Sequence, residues 1–200
     1  MVRPMIPPAR FTPTARFELA VLGLLAFVML VTRTHSLSNV LHLPDTSLAS
    51  FFVLGFLVRK PAAFAGLFLL GFAIDVTVIG WFGQSDFCFT PAYWMLVPAY
   101  GVMWFAGRFG AEKLGMRASA LPALTVLLII ATLVSQIFSS GGFYFLGGRF
   151  AEPTIAGFTP RLARYFPPTL YATLLWSGAA AAIVAILSFA RPQMRAENRK

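Results

Sequence analysis

Apolar residues along this chain come in long runs rather than in alternation, and short polar or proline-containing breaks separate them. A run of about 20 apolar residues is what a helix needs to cross the hydrocarbon of a bilayer. The runs predict membrane helices at about 17–32, 47–58, 62–82, 91–106, 118–138 and 168–190. The second is the shortest, stopped by Arg59-Lys60-Pro61. Residues 1–16, with Arg3, Arg10, Arg16 and four prolines, read as a basic lead, and 191–200 as a basic tail. Between the fifth and sixth helices, 139–167 reads as a long loop. Connections of that length are uncommon unless functional or disordered. Its aromatics, among them Phe143, Tyr144, Phe150, Phe158 and Tyr165, argue against disorder and for a lid.

Composition sharpens the class. The 200 residues are 58% hydrophobic and 12% charged, against about 25% charged in soluble domains. The expected fold is therefore an all-α integral membrane protein of six transmembrane helices in a single domain. The net charge of +9 does not indicate nucleic acid, because the basic residues sit between apolar runs and at the ends. Of sixteen Lys and Arg, only Arg33, Arg149, Arg161 and Arg164 fall in connections on one side when the helices alternate. The positive-inside rule then puts both termini in the cytoplasm and those four outside. The first apolar run follows a basic lead, yet Thr32-Arg33-Thr34-His35 offers no small-x-small cleavage site, so it reads as a membrane helix.

Candidate chemistry gathers on the outer side. Asp75 lies inside the third predicted helix, and an ionisable group there is costly enough to suggest function. The alternative is a structural hydrogen bond to another helix. Cys88 is the only cysteine, set among Trp81, Phe82, Phe87, Phe89, Tyr93 and Trp94. A lone thiol forms no disulfide within the chain, and free cysteine often packs as a small hydrophobe. As a thiolate it is a soft ligand for a transition metal, with a nearby cation such as Arg161 lowering its pKa. Flat aromatic surfaces suit a large, partly apolar ligand. His35 follows the first helix as a possible ligand or donor, or as an interfacial histidine, and the second reading weighs more for His42. Tyr93 and Arg161 read more readily as interface anchors than as ligand contacts, unless the fold brings them to Cys88. Cys88, His35, His42 and Asp75 lack the spacing of a zinc site. No G-x-x-x-x-G-K-[ST] occurs, so the chain itself carries no P-loop for ATP.

Six helices in about 200 residues, Asp75 in GFAID, Cys88 in SDFCFTPAYW and Thr159-Pro160-Arg161 after a long connection together resemble the BtuM family. Its members are small bacterial proteins related to the substrate-binding S-components of energy-coupling factor (ECF) vitamin transporters, and are assigned to vitamin B12. The resemblance covers nearly the whole chain. It implies an S-component-like bundle in the bacterial inner membrane that binds cobalamin, as substrate, at its outer face. Carried over by position, Cys88 is the cobalt ligand, Asp75, Tyr93 and Arg161 lie nearby, and His35 belongs to the same pocket. A thiolate on cobalt also suggests loss of cyanide from cyanocobalamin.

One departure bears on partners. S-components that dock on an ECF module commonly carry Ala-xxx-Ala in the first helix, whereas Ala20, Gly23 and Ala26 here are spaced by three. That argues against ECF docking and leaves cobalamin and the lipid bilayer as expected partners. Two other readings remain: an S-component-like transporter of another vitamin with a structural cysteine, and a membrane enzyme with Cys88 as nucleophile and His35 as base.

Overall fold

The computed structural model describes residues 14–33, 43–82, 87 and 89–197, and among these there is helix and no strand. Helix α1 is Ala15–Arg33, α2 is Ser47–Leu57 and α3 is Pro61–Phe82. A 3-10 turn at Pro91–Met95 leads into α4, Leu96–Phe109, which continues through a π-turn at Gly110–Leu114. Helix α5, Leu121–Gln136, follows a 3-10 turn at Ala118–Ala120. It passes through a second π-turn at Ile137–Gly141 into the short α6, Gly142–Leu146. Helix α7 is Ile155–Glu197. Among the described residues, four stretches are long and apolar enough to cross a membrane: 15–33, 61–81, 118–146 and 155–187.

The first three helices begin and end within two residues of their expected limits. Sharp local signals set the turn between α2 and α3. The Arg59 N–H donates to the Leu54 carbonyl oxygen at 3.1 Å with Arg59 at φ 60°, and Pro61 starts α3, where its missing N–H costs nothing.

The loop expected over 139–167 is corrected by the structure. α5 and α6 carry the chain as helix to Leu146 and α7 starts at Ile155, leaving 147–154 as the connection. Gly141-Gly142 and the prolines at 160, 167 and 168 read as breakers, but each is absorbed. At the glycines the helix widens into its π-turn instead of ending. Around the prolines, Thr159 Oγ1 donates to the Ile155 carbonyl at 3.0 Å and Thr169 Oγ1 to that of Tyr165 at 2.8 Å. The sixth helix, expected at 168–190, is thus 43 residues and about 65 Å long, twice the hydrocarbon thickness. The fourth and fifth, expected to end at 106 and 138, also run on.

The core is centred on α2, the shortest of the early helices. At 11 residues it spans about 16 Å, yet nearly every side chain is buried, with Phe51 and Leu54 fully so. Met29 of α1, Leu67 of α3 and Met103 of α4 close around it. Two glycines let α2 and α4 meet backbone to backbone. A Cβ at Gly55 would overlap the Trp104 carbonyl oxygen, and one at Gly107 the Phe52 carbonyl oxygen. Close approach at small residues is how helices associate where lipid offers no hydrophobic driving force.

Candidate functional site

The ends of α1 and α3, the start of α2 and the entry to α4 converge on one polar cluster. Gly71 permits it: a Cβ there would lie 2.9 Å from Met29 Cε and 3.9 Å from Arg33 Cζ, so α1 rides directly over α3. One turn further along α3, Arg33 reaches Asp75 with two parallel bonds, Nε to Oδ1 and Nη2 to Oδ2, each 2.6 Å. Tyr93 OH donates to Oδ2 at 2.9 Å. The remaining guanidinium nitrogen, Nη1, donates to Ser47 Oγ at 2.7 Å and to Tyr100 OH at 3.0 Å. Ser47 Oγ in turn donates a hydrogen bond to Asp45 Oδ1 at 2.8 Å. Beside it, Thr32 and Thr46 share a hydroxyl–hydroxyl bond of 2.8 Å.

Side-chain exposure of Arg33 and Asp75 is 13% and 22%, so the pair is largely withdrawn from solvent. A two-pronged guanidinium–carboxylate contact is among the strong, directional polar interactions, and a buried charge requires such a partner. The cluster ties four helices together and fixes the Tyr93 ring. Arg33, expected as a charge in an outer connection, occupies the last turn of α1 and is the partner Asp75 requires.

Aromatic rings extend the cluster outward. Phe89 lies 4.9 Å from Tyr93 and 6.0 Å from Phe72, centroid to centroid. Two residues earlier, Phe87 meets Phe143 edge-on at 5.5 Å, with the Arg149 guanidinium 5.2 Å from its own ring. Phe143 contacts Phe150 at 6.0 Å. Over Phe150, at 4.6 Å, sits Arg161, which also lies 5.6 Å from Tyr144 and 5.7 Å from Tyr165. Cations over ring faces are held by the ring quadrupole, more weakly than by a carboxylate. Among the described residues no carboxylate pairs with Arg161.

Asp75 and Tyr93 are thus in direct contact, whereas Arg161 belongs to a second ring group, with Phe143, Tyr144 and Phe150. Cys88, His35 and His42 lie outside the described residues. Among the described residues there is no group of three metal-ligating side chains. Sequence reasoning missed Arg33, Ser47 and Tyr100 in this cluster. The available signal was an arginine closing one apolar run and an aspartate inside another, each needing a counter-charge.

No family model matches the chain, and no curated protein matches it.

Proposed function

We propose that this chain spans the bacterial inner membrane six times with both termini cytoplasmic, binds cobalamin at the outer end of the bundle and carries it inward. In this reading the Cys88 thiolate ligates cobalt, Tyr93 and Arg161 contact the ligand, and Asp75 acts through Tyr93, whose hydroxyl it holds. His35 is a further contact from the end of the first span. Cobalamin here is substrate.

The observation that supports the reading is the run of ring contacts on either side of position 88. Phe89 belongs to the Tyr93–Asp75 cluster and Phe87 to the Arg149–Arg161 group. The two sequence neighbours of Cys88 thus each sit among aromatic faces, which suits a large, partly apolar ring system. Replacement of cyanide by the thiolate needs no oxidant: the sulfur lone pair forms the Co–S bond as the Co–C bond breaks, and cyanide leaves with its electron pair. The cobalt oxidation state is unchanged.

The test is a visible absorption spectrum of protein purified from cells supplied with cobalamin, for this sequence and for Cys88→Ser. The expected result is a corrin spectrum shifted from that of free cobalamin, and altered or absent in the variant. A colourless protein that takes up no added cobalamin would overturn the reading. Rates of cyanide loss equal with and without the protein would remove the chemical step alone.

A further inference from the structure

At the π-turn of the fifth helical stretch lies an apolar groove of about 230 Å³. Its walls are Met95, Ile137, Phe145, Leu146 and Phe158, and its floor is Gly141-Gly142. A Cβ on Gly141 would approach Phe158 to 3.4 Å and one on Gly142 would reach Met95 at 2.6 Å, so these glycines let Phe158 and Met95 pack close on the π-turn. Ile137, Phe145 and Leu146 leave large apolar surface uncovered at its mouth. The groove is smaller than the roughly 300–1,000 Å³ of pockets that enclose compact ligands. A segment of hydrocarbon chain fits it, and a corrin does not.

A cation lies one helical turn beyond the groove's Phe158. Phe158 contacts Tyr144 at 5.8 Å and Phe145 at 5.5 Å, and Arg161, one turn along α7, lies 5.6 Å from the same Tyr144 ring. Arg164 follows another turn on, 5.8 Å from the Tyr165 ring that Arg161 also faces. Ring faces satisfy charge in part, but they accept none of the guanidinium's hydrogen bonds in the way an anionic oxygen does. An apolar slot with an arginine one helical turn from its lining, both against the Tyr144 ring, in a chain with helices fit for a bilayer, has the polarity of an amphiphile carrying a phosphate.

We propose that this groove seats one acyl chain of a membrane phospholipid whose headgroup phosphate is bound by Arg161. The bound lipid pins α7 against α5 and α6 at the outer rim. This goes beyond the cobalamin reading and does not rest on it. Arg161 serves in both, so cobalamin and lipid phosphate compete there, whereas Ile137 and Leu146 enter only the lipid site.

Native mass spectrometry of the full chain in detergent, titrated with dioleoyl phosphatidylglycerol, tests the proposal. Dioleoylglycerol supplies the chains without the phosphate, and sodium phosphate the anion without the chains. The expected result is a retained phosphatidylglycerol adduct, with dioleoylglycerol held about tenfold more weakly and sodium phosphate failing to displace the lipid. Ile137→Trp, which fills the groove, and Arg161→Gln should each cut the adduct about tenfold, while Ile186→Trp on the exposed face of α7 should not. Should Ile137→Trp fail to fold, Leu146→Trp fills the same groove from its rim. Equal adducts in all variants, dioleoylglycerol binding as well as the phospholipid, or displacement by phosphate alone would each overturn the proposal. A lipid result in either direction leaves the cobalamin spectrum free to succeed or fail by itself.

Discussion

Arg33 and Arg161 belong to the same end of the bundle and are held in opposite ways. Arg33 spends its guanidinium on one carboxylate and two hydroxyls, joining α1 to α2, α3 and α4. Arg161 lies across the faces of Phe150, Tyr144 and Tyr165, with no carboxylate among the described residues within pairing distance. The first arrangement is complete within the protein, and nothing further is needed to neutralise it. The second restrains a cation's position while leaving hydrogen-bond donors for something outside. Charge alone therefore does not identify a ligand site at this end; how far the charge is already satisfied does.

The interior against which Arg161 is to be judged is set by the α2–α4 contact, and breaking it should have the largest effect. Gly107→Val puts methyl groups where the Phe52 carbonyl oxygen lies, and Gly55→Val does the same at Trp104. Ordinary overpacking costs about 1–3 kcal/mol. Here the obstacle is backbone on the central helix, so the cost should exceed that range, read as loss of monodisperse protein on size exclusion after mild heating. A profile like that of the unmodified protein would mean that the two helices separate freely.

Next in size is the ion pair. Asp75→Ala leaves Arg33 buried without its carboxylate, and removing one partner of a buried pair costs about 3–5 kcal/mol. The combined Arg33→Met, Asp75→Leu protein should recover most of that loss, because an apolar replacement avoids the desolvation of both charges. Thermal unfolding of the two single variants and the double variant in one detergent gives the coupling directly. If the losses simply add, the pair is incidental, and Asp75 is free to serve a ligand as its sequence position first suggested.

The sequence reading reached some of these features and not others, for physical reasons. The limits of α2 and α3 are legible because Arg59-Lys60-Pro61 is local punctuation: a charge pair and a proline end one apolar run and open the next. Position 139–167 misleads because glycine and proline signal interruption, whereas the helices carry through both, at Gly141-Gly142 by a π-turn that has no sequence period of its own. Asp75 stands out as an acid in an apolar run, but its partner is 42 positions away and carries no pattern linking the two. The outer aromatics are visible in composition. Which of their faces meet Arg161 depends on the packing of α6 against α7, which no local window contains.

The smallest effect on folding should come from Arg161, and it sharpens the comparison most. A cation over exposed ring faces contributes about 0.5–1 kcal/mol, so Arg161→Gln should melt within a few degrees of the unmodified protein. If the proposed cobalamin site is real, loss of Arg161 should appear there: charge-assisted hydrogen bonds carry roughly 1.5–3 kcal/mol, which corresponds to affinity for cobalamin falling by about tenfold or more. Asp75→Ala should show the reverse balance, a large change in stability that drags binding down with it. Measuring melting and cobalamin titration on both variants separates the two behaviours. If Arg161→Gln unfolds as readily as Asp75→Ala, the ring-held arginine is structural too, and this end of the bundle loses its claim to be the surface that waits for a ligand.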